Sequence, residues 1–182
     1  MTFELQPALK GRLIELRPLR PGDFAELFKV AADPLIWEQH PNHDRYQEKV
    51  FAEFFRAGLE SEGALVVLDI RDGRIIGSSR FYGYDPQNSE IEIGWTFLAR
   101  PYWGGVYNRE LKQLMLRHAF EFVENVVFLV GPENLRSQRA MEKIGAVRLA
   151  PRPDGRSAES VVYRITAAAF RNPDRNGAGN PV

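Results

Sequence analysis

The stretch "IEIGWTFLARPYWGGVYNRE", residues 91–110, connects a strand-like segment to the start of a helix through two adjacent glycines. Before the turn, isoleucines alternate with Glu92 and Gly94, which is the period of a half-buried strand. After the turn, apolar residues recur at helical spacing over 106–123, and residues 126–131 form a fully apolar segment typical of a central strand. The stretch therefore begins a strand–helix–strand unit.

The paired glycines, Gly104 and Gly105, stand where a helix start exposes unpaired N–H groups and the positive end of its dipole. Because glycine has no Cβ, the backbone there can approach an anion closely, as in a phosphate cradle. Neither the Walker string nor the G-x-G-x-x-G dinucleotide fingerprint occurs in the sequence. On the two glycines alone, a tight turn that binds no ligand is an equally good interpretation.

The remaining segments predict a mixed architecture. We predict strands at 11–19, 64–70, 74–84, 89–98, 126–131, 146–150 and 160–166, and helices at 20–33, 45–61, 106–123 and 133–146. The pair Asp72-Gly73 predicts a hairpin with a primed turn. This order indicates an α+β (mixed α/β) fold, with a mixed sheet and helices on both faces. We expect one domain over 1–170 and a disordered polar tail over 171–182.

Composition excludes several classes of protein. Lys+Arg and Asp+Glu both total 24, so the net charge is zero and a chain built to wrap nucleic acid is not indicated. The absence of cysteine excludes disulfides, thiolate nucleophiles and cysteine zinc sites. No apolar run approaches the roughly 20 residues of a membrane helix, and no signal core is apparent, so we expect a cytoplasmic protein without a membrane partner.

Three separated motifs resemble the GNAT superfamily of acetyl-CoA-dependent N-acetyltransferases. The first is EIGW at 92–95, and the second is YWGG at 102–105 followed by a glutamate at 110. The third follows the pattern N-x-x-S-x-x-x-x-E-K-x-G, and its matching residues are Asn134, Ser137, Glu142, Lys143 and Gly145. The chain is most similar to the branch that includes the ribosomal-protein N-terminal acetyltransferases, with the same order of elements from about residue 11 to 166.

This resemblance implies a GNAT-like, mostly antiparallel central sheet and acetyl-CoA as the acetyl donor, with no metal. It implies CoA contacts at Phe97, Leu98, Trp103, Gly104, Gly105, Val106, Tyr107, Asn108, Asn134 and Arg139. Val106 replaces the second cradle glycine of the family, and valine does not easily adopt a positive φ. A backbone N–H within 96–98, where family members have a bulge, is the implied donor to the thioester oxygen.

Acyl transfer to an amine requires a base, because a free amine is mostly protonated at neutral pH. Glu90 and Glu92 share one face of their strand by its period of two, and Ile91, Ile93 and Trp95 take the other face. Glu92 is the candidate base and Glu90 a candidate acceptor contact. The alternative is that both carboxylates lie on a solvated face.

The acid for the departing thiolate is less apparent. Many family members carry a tyrosine where this chain has Met141, and in the N-terminal acetyltransferase branch the serine that matches Ser137 is implicated instead. The alternative for Ser137 is a hydrogen bond to its own helix backbone. Met141 also favours a second function, a non-catalytic acyl-CoA-binding module. A third possibility is a scaffold whose glycines only make a turn.

The acceptor is an amine of a small molecule or a protein N-terminus. Candidate acceptor contacts are Trp37, Arg80 and Tyr82. Trp37 belongs either to the core or to the acceptor pocket. An inward Arg80 would favour an acceptor with a carboxylate or phosphate, whereas a solvated Arg80 would not. His40 and His43 lack the further ligands that a metal site needs. A homodimer is compatible with the sequence.

Overall fold

The computed structural model describes residues 2–150 and 159–172. The strands of this part are β1 (Leu9–Lys10), β2 (Ile14–Pro18), β3 (Ala64–Asp69), β4 (Ile75–Asp85), β5 (Glu90–Leu98), β6 (Asn125–Val130), β7 (Val147–Arg148) and β8 (Val161–Thr166). The helices are α1 (Phe24–Ala31), α2 (Glu48–Glu60), α3 (Val106–Ala119), α4 (Leu135–Lys143) and α5 (Ala167–Arg171).

All these strands belong to one sheet in the order β1-β2-β3-β4-β5-β6-β8-β7. Strands β1 to β5 form an antiparallel meander. The pair β5–β6 is parallel, while β8 is antiparallel to both β6 and β7. This arrangement confirms the predicted mixed, mostly antiparallel sheet, and it confirms that the apolar strand β6 is central.

Two hydrophobic clusters cover the two faces of the sheet. One cluster packs α3 against the meander and β6, and its largest fully buried members include Phe81, Ile91, Ile93, Leu111 and Met115. The other packs α1 and α2 on the opposite face, around Leu27, Phe51, Phe55, Val66 and Phe97. Helices therefore lie on both faces, as the order of elements predicted.

The differences from prediction are local. Helix α3 ends at Ala119 rather than 123, and β1 and α5 were not predicted. The primed turn was wrong: residues 70–73 form a longer loop closed by hydrogen bonds between Asp69 and Arg74 and between Gly73 and Asp69, and only Gly73 of this loop has a positive φ. Residues 173–182 of the predicted tail lie outside the described residues.

None of the helices among the described residues has the length and apolar character that crossing a bilayer requires.

One carboxylate on α3 holds the β1–β2 loop in place. Glu110 accepts hydrogen bonds from the backbone N–H groups of Arg12 (2.9 Å), Leu13 (2.8 Å) and Ile14 (3.0 Å). A Cβ on Gly11 would lie 2.6 Å from the Glu110 carboxyl carbon, so only glycine allows this approach. The first hairpin is thus fixed to the helix that begins at the Gly-Gly turn.

Replacing Glu110 with glutamine tests this contact. The amide keeps the size of the side chain but loses its charge and turns an NH₂ group toward backbone donors. Because hydrogen bonds to charged groups contribute about 1.5–3 kcal/mol each, we expect Glu110→Gln to lower the free energy of unfolding by about 2 kcal/mol. The exposed Glu121→Gln is the control, with a change below about 0.5 kcal/mol. Equal urea midpoints for the two variants would contradict this role.

Candidate active site

Strand β5 contains a β-bulge beside Trp95. In its pairing with β4, Phe97 is opposite Ser78 but Gly94 is opposite Arg80, so β5 has one extra residue between these pairs. Trp95 has a φ of 52°, which is rare for a bulky side chain. A bulge bends its strand and disrupts the local ladder. The bulge lies where the resemblance implied one.

The bulge accompanies an opening between β5 and β6. Their parallel ladder begins at Glu90 with Asn125 and ends at Glu92 with Val127, although β6 itself continues and pairs with β8 to its end. Beyond these residues the two strands are not paired with each other, and we call the gap between them the β5–β6 cleft. The cleft lies at the carboxyl ends of both strands, next to the start of α3.

One backbone N–H of β5 is directed into this cleft. Ala99 N–H donates to the Ile76 carbonyl of β4 at 2.8 Å. Because N–H groups alternate in direction along a strand, Phe97 N–H also points toward β4 and Leu98 N–H points toward the cleft. Of the candidates over 96–98, the geometry therefore favours Leu98 as a donor to a ligand.

The bulge also changes the side of the sheet on which Trp95 lies. Alternation predicted Trp95 on the face of Ile91 and Ile93, and this was wrong. Its ring contacts Tyr82, with ring centroids 5.3 Å apart, and the Arg80 guanidinium, 4.6 Å from its centroid. Since Tyr82 is directly opposite Glu92, Trp95 and Glu92 share the face covered by α1 and α2. The extra residue reversed the expected orientation.

On the other face, a buried lysine bonds to the bulge. Lys112 of α3 is only 4% exposed, and its Nζ donates to Thr96 Oγ1 at 2.8 Å. Thr96 Oγ1 is in turn 2.7 Å from Ser79 Oγ of β4. Burial lowers the pKa of Lys112 to about 7. No ion pair of the described residues includes Lys112, so Thr96 is its polar contact here.

The turn between β5 and α3 is held by side chains from several elements. Tyr102 Oη donates to the buried Asp69 of β3 at 3.1 Å, and Trp103 Nε1 donates to the Leu98 carbonyl at 2.8 Å. The Arg136 guanidinium of α4 stacks over the Trp103 ring at 3.9 Å. These contacts fix the turn before any ligand binds.

The Gly-Gly turn itself is open. Gly104 has a φ of 68° and a Cβ on it would meet no atom within 4 Å, while Gly105 is the N-cap of α3 and no side chain caps this helix. Val106 is 54% exposed and is the first helical residue, so the positive φ falls on Gly104 and valine is not forced into it. The next helical residues, Tyr107 and Asn108, are half-buried.

The start of α4 is arranged differently. Asn134 is buried, and its side chain caps the helix by accepting from Ser137 N–H at 3.1 Å. The Ser137 hydroxyl makes no hydrogen bond within the described part of the chain, so it is not bonded to its own helix backbone there. Arg139 is exposed, whereas Arg136 donates to the Ile36 carbonyl at 3.0 Å.

The two strand carboxylates are both buried. Glu90 is 8% exposed and Glu92 is 9% exposed, so the interpretation as a solvated face was wrong. A Cβ on Gly94 would lie 3.1 Å from Glu92 Oε1, which places this carboxylate along the strand toward the bulge. A buried carboxylate beside an opening cleft can accept a proton from a bound amine.

Of the predicted acceptor residues, Trp37 is a core residue. It is 2% exposed, its Nε1 donates to the Ala31 carbonyl at 2.8 Å, and its ring packs 5.0 Å from that of Phe97. Arg80 points inward and is 5% exposed, whereas Tyr82 is 44% exposed at the rim of the same face.

Two residues of this region, Lys112 and Arg45, were not predicted from the sequence. Lys112 is four residues before the buried Leu116, so helical periodicity was a signal for its burial. Arg45 lies in the loop before α2, where no periodic pattern marks a side chain. Over 2–150 and 159–172, no three His, Cys, Asp or Glu side chains converge as metal ligands.

Comparison with known proteins finds a family model and similar folds. The sequence model of the acetyltransferase (GNAT) domain family matches residues 13–147. A putative acetyltransferase from T. thermophilus is 29% identical with a TM-score of 0.71, and the match covers 94% of this chain and 95% of that one. A GCN5-related N-acetyltransferase from Brucella melitensis has a TM-score of 0.80 at 18% identity, and the match covers 93% of this chain and 83% of that one. RimJ of Mycobacterium smegmatis, solved in complex with CoA-disulfide, has a TM-score of 0.64 at 19% identity. That match covers 91% of this chain and 88% of RimJ.

The buried Lys112 predicts a pH-dependent stability difference. Its pKa is about 7 in the folded chain but 10.5 when exposed, so unfolding takes up a proton between these values. Wild-type stability therefore rises with pH across this window, by up to about 1.4 kcal/mol per pH unit from this group. Lys112→Met removes the effect. We expect the stability of the variant relative to wild type to be highest below pH 7 and to fall as the pH rises toward 10.5.

Urea unfolding at a series of pH values measures this difference. Lys29→Met, at an exposed lysine of α1, is the control and should show no such trend. If the difference in unfolding free energy between Lys112→Met and wild type does not change with pH, Lys112 is not desolvated in the way that its burial indicates.

Proposed function

The chain belongs to the GNAT family of acetyltransferases, and from that premise we propose that it moves an acetyl group from acetyl-CoA to a primary amine by direct attack in a ternary complex. The acceptor is an amine of a small molecule or a protein N-terminus. The observation that carries the proposal is one opening in the sheet, the β5–β6 cleft, which lies beside both the uncapped start of α3 and the buried Glu92.

The uncapped start of α3 is proposed as the site for the CoA pyrophosphate. The first N–H groups of a helix have no partner within the helix, and the dipole there favours an anion. Open space at Gly104 and the exposure of Gly105 and Val106 suit a large anionic group. RimJ, a structurally similar protein, was solved in complex with CoA-disulfide, and this supports acetyl-CoA as the acetyl donor for this chain.

Within the cleft, Leu98 N–H is the proposed donor to the thioester oxygen. Negative charge develops on this oxygen as the amine attacks, and a fixed backbone donor stabilises it without reorganisation. The bulge orients the Leu98 N–H toward the cleft, and the hydrogen bond from Trp103 Nε1 to the Leu98 carbonyl holds the same residue in place.

Glu92 is proposed as the base and Ser137 as the acid. Glu92 takes the proton of the attacking amine, directly or through water. The Ser137 hydroxyl, in the first turn of α4, is available to protonate the CoA thiolate, which needs only modest assistance as a leaving group. Met141 is 4% exposed, packs in the core and has no proton to donate.

A transfer screen tests the proposed function directly. The chain is incubated with acetyl-CoA and, separately, a peptide N-terminus, an amino acid, a polyamine or an aminoglycoside, and free thiol is measured. Thiol release that requires an amine supports the enzyme. CoA binding without release by any amine would instead indicate the non-catalytic acyl-CoA-binding module, and no CoA binding would contradict both.

Gly104→Asp tests the cradle. A carboxylate at this position would repel the pyrophosphate and weaken charge-assisted hydrogen bonds, so we expect CoA affinity to fall about 100-fold. Gly104→Asn is the matched control, because asparagine has nearly the same shape and also tolerates a positive φ but carries no charge. Calorimetry with CoA measures both variants. Equal affinities for the Asp and Asn variants would mean that no anion binds at this turn.

Glu92→Gln tests the base. We expect acetyl-CoA affinity to stay nearly unchanged while kcat falls by about 10²–10⁴-fold, with a smaller loss at high pH where the free amine already exists. Glu90→Gln, at the neighbouring buried carboxylate, is the control and should reduce kcat much less. Steady-state kinetics across pH decide the matter, and wild-type turnover in Glu92→Gln at neutral pH would exclude the role.

A further inference from the structure

Two arginines share an aromatic environment on the Glu92 face of the sheet. The Arg80 guanidinium lies 4.6 Å from the Trp95 ring centroid and 5.8 Å from that of Phe54. The Arg45 guanidinium lies 4.5 Å from the same Phe54 ring and 5.6 Å from the Trp37 ring. Phe54 thus has a guanidinium from each of two distant segments beside it.

Arg80 is incompletely satisfied. It is 5% exposed, and its Nε is buried with no hydrogen-bond partner in the described structure. Burial lowers the pKa of Arg80 to about 10, which still leaves the guanidinium charged at neutral pH. Buried polar groups are nearly always hydrogen-bonded, so this unpaired nitrogen is a donor that a group from outside the chain could satisfy.

Arg45 is less deeply buried than Arg80 and is hydrogen-bonded. It is half-buried, donates to Asn42 Oδ1 at 3.1 Å and contacts the ring of His40 at 3.3 Å. Burial lowers the pKa of Arg45 to about 10, and the charge of Arg80 contributes to this lowering. Neither arginine belongs to any ion pair formed among the described residues.

Two like charges around one ring are costly without an anion. Burial penalises each guanidinium, and their mutual repulsion adds to the penalty. Glu92 is the carboxylate whose charge acts on Arg80, and it is also the proposed base. Asp44 is the carboxylate whose charge acts on Arg45, and neither carboxylate gives Arg80 Nε a hydrogen bond.

We infer that Arg80 and Arg45 bind a carboxylate or phosphate of the acceptor, so that the substrate is a small amine that also carries an oxyanion. This inference rests on the proposed function. The planar guanidinium matches the geometry of both oxyanions. The amine end lies toward Glu92 on the neighbouring strand, and Trp95 and Phe54 form the walls between the two ends. Polyamines and aminoglycosides, which are polycations, are repelled by the same pair.

Matched acceptors test the inference. The α-amino acids are each compared with their carboxamides, and phosphoethanolamine is compared with ethanolamine, with thiol release from acetyl-CoA as the readout. We expect at least one anionic acceptor to exceed its neutral partner by more than about 10-fold in kcat/KM, as truncation of a charged contact typically shows. The amino-acid and aminophosphate arms distinguish carboxylate from phosphate.

The arginine variants assign this preference to the site. In Arg80→Gln and in Arg45→Gln, we expect KM for the anionic acceptor to rise about 10-fold or more while the affinity for acetyl-CoA stays unchanged. Arg56→Gln, at an exposed arginine of α2, is the control and should keep the preference. If wild type acetylates the matched acceptors without this preference, or if the preference survives both substitutions, the inference is overturned. Since Arg45 is only half-buried, its variant decides the matter if Arg80→Gln fails to fold.

A binding arm separates this inference from the proposed function. Calorimetry compares 3-phenylpropionate with 3-phenylpropionamide, which have no amine and require no catalysis. Tighter binding of the acid, lost in both arginine variants, supports the anion site even if no amine is acetylated; in that case the proposed function alone fails. Equal binding of acid and amide, together with equal turnover of matched acceptors, would exclude the site.

Discussion

The extra residue in β5 is the constraint on which the site depends. A regular strand would continue to pair with β6 and would close the sheet. With the bulge beside Trp95, the parallel ladder ends at Glu92, the two strands are no longer paired with each other, and Leu98 N–H faces the opening. The positive φ of Trp95 is strained for a tryptophan, so packing on both faces must hold it. The hydrogen bond between Lys112 and Thr96 provides such packing on one face, and the contact of Arg80 with the Trp95 ring provides it on the other.

The buried charges around the bulge lie on both faces of the sheet. Arg80 is buried and Arg45 is half-buried on the face of Glu92, and neither arginine belongs to an ion pair among the described residues. Lys112 lies on the other face, where burial lowers its pKa to about 7. Low dielectric surroundings strengthen the interactions of such groups at short range. The zero net charge of the chain therefore says little about the charges close to the cleft.

The fold was largely predictable from sequence, since long periodic segments such as 45–61 and 126–131 have strong patterns. The arrangement of the site was less predictable from the sequence. No residue type marks a bulge at Trp95, and one extra residue reverses every side chain after it, so its face was mispredicted. Lys112 could have been placed by its helical spacing. Arg45 and Arg80 come together only through α2 and β4, and no local pattern carries that contact.

The Glu110 contact has a consequence for the order in which the chain assembles during synthesis. Its three backbone partners precede it by 96 to 98 residues. At about 5–20 residues per second, these N–H groups leave the ribosome several seconds before the carboxylate that binds them. The first hairpin can pair with β3 in that interval, but its loop stays bonded to water. The N-terminal edge of the sheet is therefore completed only when α3 emerges, at the same stage as the turn that would hold CoA.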